Sequence, residues 1–247
     1  MSVVTVPQQT PLSEGRNFVD EEREVVDRAM DVAEDAEVPV SGTVRVGHDV
    51  AQAILNTVEQ HDADLVLMGW RGRGRRRDYV LGSNVDRVVQ EASCDVLVER
   101  IGPGTDGVES ILLPTAGGPH AELAAEIARA IARPNEARID VAHVVGPDDD
   151  RDRAEGFLDS TADVIEDVPN VERRLLEDDG DGVVDTIVAE TGDYDITIVG
   201  ATREGLLQQF VFGAIPEEVG RRAECTVIMT KRNLGITSRL TRWLRWE

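Results

Sequence analysis

The chain has 247 residues, 41% of them hydrophobic but only 4% aromatic, so its cores must be built from Val, Ile, Leu and Ala. It carries 48 acidic against 26 basic residues, a formal net charge of -22, with a pI near 4.5. Such a charge argues against non-specific binding to nucleic acid or anionic membranes, and it strains the compact state by self-repulsion unless salt screens it. Lys231 is the only lysine, so nearly all positive charge is arginine. This acid-rich, lysine-poor composition points to a cytoplasmic protein of a high-salt organism. The cysteines, Cys94 and Cys225, make no disulfide framework and suit a reducing interior. No apolar run reaches the ~18 residues of a membrane helix, and no secretory signal is recognisable.

Val3 to Val6 reads as a strand with Pro7 as its exit, and Gln8 to Asn17 as a polar, turn-rich loop. From Asp20, Val25, Val26, Met30 and Val32 recur at helical spacing, with acids filling the first turn as the helix dipole prefers. Thr43 to Val46 is the next predicted strand, and Asp49 caps a helix that buries Ala51, Ile54, Leu55 and Val58. Leu65 to Met68 is an apolar run expected to be a strand buried on both faces, as in a parallel sheet. A helix at Asn84 to Ala92 and a strand at Val96 to Val98 follow. Ile101 to Gly107, rich in glycine, is a linker. Beyond it strands are expected at Ile111 to Thr115, Ile139 to Val145, Val171 to Leu176, Ile196 to Val199 and Val227 to Met229. Helices at Ala121 to Ala132, in the acidic stretch from Asp148, at Val183 to Glu190 and at 215–223 separate them. Strict alternation of strand and helix argues for parallel α/β sheets.

The stretch Asp64 to Ser83 holds the strongest motif: Gly69, two residues, Gly72, nine residues, then Gly82 and Ser83 at the start of a helix. Glycines after a strand let backbone N–H groups approach a ligand that a Cβ would block, and a helix start favours an anion. The plain alternative is a turn at Gly69 and Gly72, followed by Ser83 as an N-cap with Asp86 three residues on. Arg71, Arg73, Arg75, Arg76 and Arg77 lie between the glycines. They suit polyphosphate, or else a solvated loop bridging to acidic neighbours.

A shift of 131 superimposes Asp64 on Asp195, Gly69 on Gly200, Gly82 on Gly213, Ala92 on Ala223, Cys94 on Cys225 and Val96 on Val227. The chain is therefore two repeats of one domain. They are unequal at their starts: the second has a strand and helix, Ile111 to Ala132, ahead of the segment matching Val3 to Val6, and the first has nothing there.

The glycine spacing resembles the nucleotide-binding signature of the universal stress protein family, and the chain up to about Lys231 resembles that family's tandem members. The resemblance implies two tandem open parallel five-stranded α/β sheets of the adenine nucleotide alpha hydrolase-like type, strand order 3-2-1-4-5. The first would lack its first, central strand and helix. The expected domains are 1–101, a linker at 102–107, 108–232, and a basic tail at 233–247. A missing central strand leaves a gap that must close directly, be filled by a borrowed strand, or belong to a longer parent chain, of which this would be a fragment. The resemblance further implies that the final strands of the two repeats pair, as in the family's dimers, which also leaves room for a homodimer.

In nucleotide-binding members the first strand ends in an aspartate that contacts the nucleoside, while the glycines hold the phosphates. By resemblance, Gly69, Gly72, Gly82 and Ser83 would hold the phosphates of ATP in the first repeat, which has lost the strand carrying the aspartate. The second repeat has Ala116 and Gly118 where the family has Asp and Ser, Arg203 for the second glycine and Ala214 for the serine. It is expected to be a structural or regulatory partner.

No Walker A motif, no Gly-x-Ser-x-Gly and no metal-ligand spacing among His48, His61, His120 and His143 is found, so no catalytic or metal residues are expected. Nucleic acid is a poor partner for want of a basic field. In the tail, Ile236, Leu240, Trp243 and Leu244 recur at helical spacing beside Arg239, Arg242 and Arg245. Such a helix lies on a membrane or partner, or packs back on the domains. The expected function is a nucleotide-responsive regulatory binding module, not an enzyme. The alternatives are a regulatory region of an amino-acid or cation transporter, a role that tandem domains of this family serve in some transporters, and a slow ATPase.

Overall fold

The computed structural model describes residues 1–9, 11–15, 19–33, 38–70, 81–103, 107–202 and 211–235. The chain divides into two compact units, Met1–Ala63 and Asp64–Glu247.

The first unit holds β1 (Ser2–Thr5), α1 (Leu12–Gly15), α2 (Asp20–Val32), β2 (Val44–Gly47) and α3 (Val50–Gln60). Strands β1 and β2 pair in parallel as a two-stranded sheet. Asp20, Glu21 and Glu22 fill the first turn of α2, which buries Val26. The Asp49 carboxylate accepts from Gln52 N and caps α3, which buries Ala51, Leu55 and Val58, while Ile54 stays half-exposed. The predicted loop after Pro7 contains the single turn α1, because Leu12 to Gly15 closes one helical turn.

The second unit runs through β3 (Leu65–Gly69), α4 (Ser83–Glu91), β4 (Asp95–Arg100), β5 (Ser110–Pro114), α5 (Pro119–Asn135) and β6 (Arg138–Val145). It continues through α6 (Arg151–Asp163), β7 (Val171–Glu177), α7 (Val183–Glu190), β8 (Ile196–Gly200), α8 (Ala214–Arg222) and β9 (Thr226–Lys231). Its sheet has seven strands in the order β3-β4-β9-β8-β5-β6-β7. The strands β7-β6-β5-β8-β9 of the second repeat are mutually parallel, which is the order 3-2-1-4-5 counted within that repeat. On one face Ile111, Leu113, Ile139, Val141 and Ile198 pack against Ala124, Ala125 and Ala128 of α5. Small alanines let that helix lie close over a sheet of branched side chains.

The final strands of the two repeats pair as expected, but the two five-stranded sheets, the first lacking a strand, become one seven-stranded sheet and a separate two-stranded sheet. Strand β4 pairs antiparallel with β9, opposing Val98 to Met229, both fully buried, so the end of the first repeat continues the sheet of the second. Around this seam the Arg100 guanidinium donates to Ala223 O and Cys225 O, each at 2.7 Å. Lys231 Nζ donates to Val89 O at 2.7 Å, and burial pushes its pKa down. Strands β1 and β2 make a two-stranded sheet of their own.

Strand β3 stands at the end of the seven-stranded sheet, paired with β4, and is not the doubly buried strand its apolar run predicts: Leu65 is 38% and Leu67 54% exposed. Both cysteines are buried and free, and burial, helped by the Asp95 charge, pushes the Cys94 thiol up to about 11.

Replacing Arg100 with alanine strips two buried carbonyls of a charged donor, and the expected loss is about 2 kcal/mol of stability for the second unit. Urea unfolding of both proteins in molar KCl measures it.

Candidate functional site

Strand β3 delivers the first glycine of the motif to the sheet's edge. Beyond it Trp70 N donates to Glu99 O at 2.6 Å, and the indole turns inward to become 6% exposed. It lodges against Gly220 of α8, where an added Cβ would stand 3.0 Å from the Trp70 ring. Gly72 and the arginines at 71, 73, 75, 76 and 77 lie outside the described residues, as do Arg203 and the tail from Ile236.

The chain is described again from Leu81, whose side chain is buried, and Gly82, whose φ of +116° is one that L side chains rarely adopt. Gly82 is the N-cap of α4 and Ser83 its first helical residue, so Ser83 does not cap the helix as its position suggests. The Asp86 carboxyl lies near the backbone N–H groups of Leu81 and Gly82 instead, and its Oδ1 has no partner among the described residues. Burial pushes the Asp86 carboxyl above its ordinary range, and those two amides only partly offset it. What faces outward is the first turn of a nine-residue helix, with the N–H groups of Ser83, Asn84 and Val85 preceded by no helical turn.

A Cβ built at Gly69 or Gly82 meets nothing within 4 Å. The equivalent glycines of the second repeat are pressed upon. A Cβ at Gly200 would stand 2.7 Å from the His120 carbonyl, and one at Gly213 would collide with Thr202 Oγ1. Thr202 N donates to Phe212 O at 2.8 Å, and His120 is itself tied by Thr230 Oγ1 and Arg232 N. Ala116 brings no carboxylate to the loop after β5, where Phe157 packs on Gly117 and Thr115 Oγ1 accepts from Gly117 N. Among the described residues, therefore, nothing crowds the backbone at Gly69 and Gly82, whereas Gly200 and Gly213 are crowded by their own chain.

The structure also assigns a place to two residues that sequence reasoning passed over. Glu217 stands where the shift of 131 puts Asp86. Its Oε1 accepts from Val211 N (2.7 Å) and Phe212 N (2.9 Å), the residue is fully buried, and Oε2 has no partner among the described residues. Burial pushes its pKa up to about 7; the Asp86 charge adds to the push and Arg221 opposes it. The repeat itself is the signal for Glu217. Trp70 carries a weaker one, as a large aromatic directly after the strand glycine in an aromatic-poor chain.

The histidines stay apart in the described structure: His48 Nδ1 lies 3.1 Å from Val6 O and His143 Nδ1 2.6 Å from Thr115 O. Among the described residues no three His, Cys, Asp or Glu side chains gather to hold a metal. Nor is any helix among them long and apolar enough to cross a membrane.

Residues 1–100 and 107–231 each match the model of the universal stress protein family. Among solved structures, a universal stress protein from Archaeoglobus fulgidus is 20% identical with a TM-score of 0.65, over 93% of this chain and 84% of that one. A functionally unknown protein from Pseudomonas aeruginosa is 16% identical with a TM-score of 0.56, over 100% of this chain and 97% of that one. Among curated proteins, the Na(+)/H(+) antiporter NhaS5 of Synechocystis is 32% identical over 91 residues, 36% of this chain and 13% of the antiporter. A universal stress protein of Thermus aquaticus is 46% identical over 50 residues, 20% of this chain and 36% of that one. The chain thus spans well under half the length of the curated relatives it matches.

The raised pKa of Glu217 fixes the sign of a pH effect. Between its ordinary 4.5 and about 7 the folded state holds a proton that the unfolded state has lost, so stability falls as pH rises through that window. The loss is on the order of 3 kcal/mol. Denaturant titrations at pH 5 and pH 8 should show this fall in the parent and a smaller one in Glu217→Gln.

Proposed function

This chain belongs to the universal stress protein family, and we propose that it serves as a nucleotide-responsive binding module, with the phosphates of ATP seated at Gly69, Gly72, Gly82 and Ser83. The observation that carries the reading is the bare backbone at Gly69 and Gly82, set against the blocked backbone at Gly200 and Gly213. Two halves descended from one pattern have diverged where a ligand would approach. The helix start behind Gly82 favours negative charge, and the arginines at 71, 73, 75, 76 and 77 supply cations in a chain of net charge -22.

The glycines and the helix start meet the phosphates of the ligand, so affinity rests on phosphate, with little preference for the base. Binding rather than turnover is the role in this reading, since neither a Walker A motif nor a Gly-x-Ser-x-Gly accompanies the glycines.

A second reading draws on the similarity to part of a Na(+)/H(+) antiporter. In it the chain regulates a cation transporter, responding to nucleotide and touching the transporter or its membrane through the tail from Ile236. Vesicles of anionic lipid test it, since a chain ending at Gly235 should lose any association that the whole chain shows.

Calorimetry with ATP in molar KCl tests the main reading. Because a Cβ at Gly69 meets no protein atom within 4 Å, Gly69→Val should keep its melting temperature while losing at least about tenfold in affinity, a little over 1.4 kcal/mol. GTP and tripolyphosphate should compete nearly as well as ATP. Equal affinity of parent and variant overturns the assignment.

A further inference from the structure

The seam between β4 and β9 has an internal two-fold relation. The shift of 131 that carries the segment 64–100 onto 195–231 sets Val98 on Met229, and the register opposes Val98 to Met229, so a residue there faces its own equivalent. To either side the pairs exchange: Val96 opposes Lys231 and Arg100 opposes Val227, where Val96 and Val227 are equivalents, as are Arg100 and Lys231. Hydrogen bonds repeat the pattern. Trp70 N donates to Glu99 O at 2.6 Å as Ala201 N donates to Thr230 O at 2.8 Å. Gly102 N donates to Thr226 Oγ1 at 3.0 Å as Asn233 N donates to Asp95 Oδ1 at 2.8 Å. The backbone therefore treats the two sides of the seam alike, in the way that a self-complementary interface does.

The side chains do not. The Trp70 indole lodges on Gly220, which is buried, and a Cβ added there would stand 3.0 Å from the ring and 3.3 Å from Met229 Sδ. The shift of 131 carries Trp70 to Ala201 and returns Gly220 to Val89. The two-fold relation thus sets Ala201 towards Val89 on the other side of the seam, and Trp70, Val89, Val98, Ala201 and Met229 all belong to one core. On one side an indole meets a bare glycine. On the other an alanine meets a valine, so both sides are filled by different divisions of the volume between the partners.

We propose that this exchange of volume makes the seam a selective interface, at which the segment 64–100 accepts the segment 195–231 and rejects a second copy of itself. Two copies of 64–100 joined by the same two-fold relation would set Trp70 against Val89 twice. A single Cβ at the glycine already presses on the indole, and valine adds two methyl groups beyond it, so each contact is overpacked. Two copies of 195–231 would set Ala201 against Gly220 twice. Each of those contacts leaves a void where the indole stood, and the core loses that packing. Only the unlike pairing fills both sides. Discrimination comes from the mismatch built against the like pairings, since the backbone bonds are available to all three.

The test builds the like pairings inside the full chain. Ala201→Trp with Gly220→Val gives the second segment the side chains of the first and creates two collisions. Trp70→Ala with Val89→Gly gives the first segment those of the second and creates two voids. All four substitutions together move the indole to the opposite side of the seam, and since one helical glycine is lost and one gained, helix propensity nearly cancels. In thermal melts of the full chain in molar KCl, each two-site variant should melt at least about 5 °C below the parent. The four-site variant should melt above both of them, although it carries every change that they carry. The proposal fails if either two-site variant keeps the parent's melting temperature, or if the four-site variant melts no higher than the more stable of the two, as independent losses would require.

Discussion

The antiparallel pairing of β4 with β9 is the contact on which the remaining architecture depends. It is the place where the two repeats become one sheet, with Val98 and Met229 buried against each other and Arg100 reaching two carbonyls of the opposite repeat. Strand β3 has no other sheet neighbour, so without this seam the pair β3 and β4 would be a two-stranded ribbon, which is marginal in water. The seam lets the five-stranded sheet of the second repeat stabilise β3 and β4. Close-packed antiparallel backbone also brings the two helix starts, at Gly82 and Gly213, to one side of a shared body, near enough for Asp86 to influence the ionisation of Glu217.

That proximity gives the two carboxylates a common logic. Each sits in the first turn of its helix: Glu217 accepts from the amides of Val211 and Phe212, and burial raises the Asp86 carboxyl against the opposing pull of the Leu81 and Gly82 amides. In the second repeat the bend is sealed by Thr202 and the acid is fully buried. In the first repeat the same bend is open and the acid half-buried. One repeat has become a rigid support and the other keeps an accessible backbone, a division of labour that substitution at a few loop positions suffices to produce.

A parallel strand buried on both faces is read as a continuous apolar run, and LVLMG has that composition while standing at a sheet edge. Local composition describes a central strand, whereas among the described residues the sheet supplies β3 with a neighbour on one side only.

By itself the sequence determined the alternation of strands and helices, the repeat and the Asp49 cap, which follow from periodicity and capping chemistry and are local. The family resemblance added the order of strands in the second half and the pairing of the two final strands. Tertiary structure decided that β3 is exposed, that Gly82 and not Ser83 caps α4, and that, among the described residues, the backbone at Gly213 is crowded while that at Gly82 is not. The reason is that strand neighbours and the atoms facing a glycine come from distant parts of the chain. Thr202, His120 and Trp70 act through what they touch, and no spacing within the sequence records a touch.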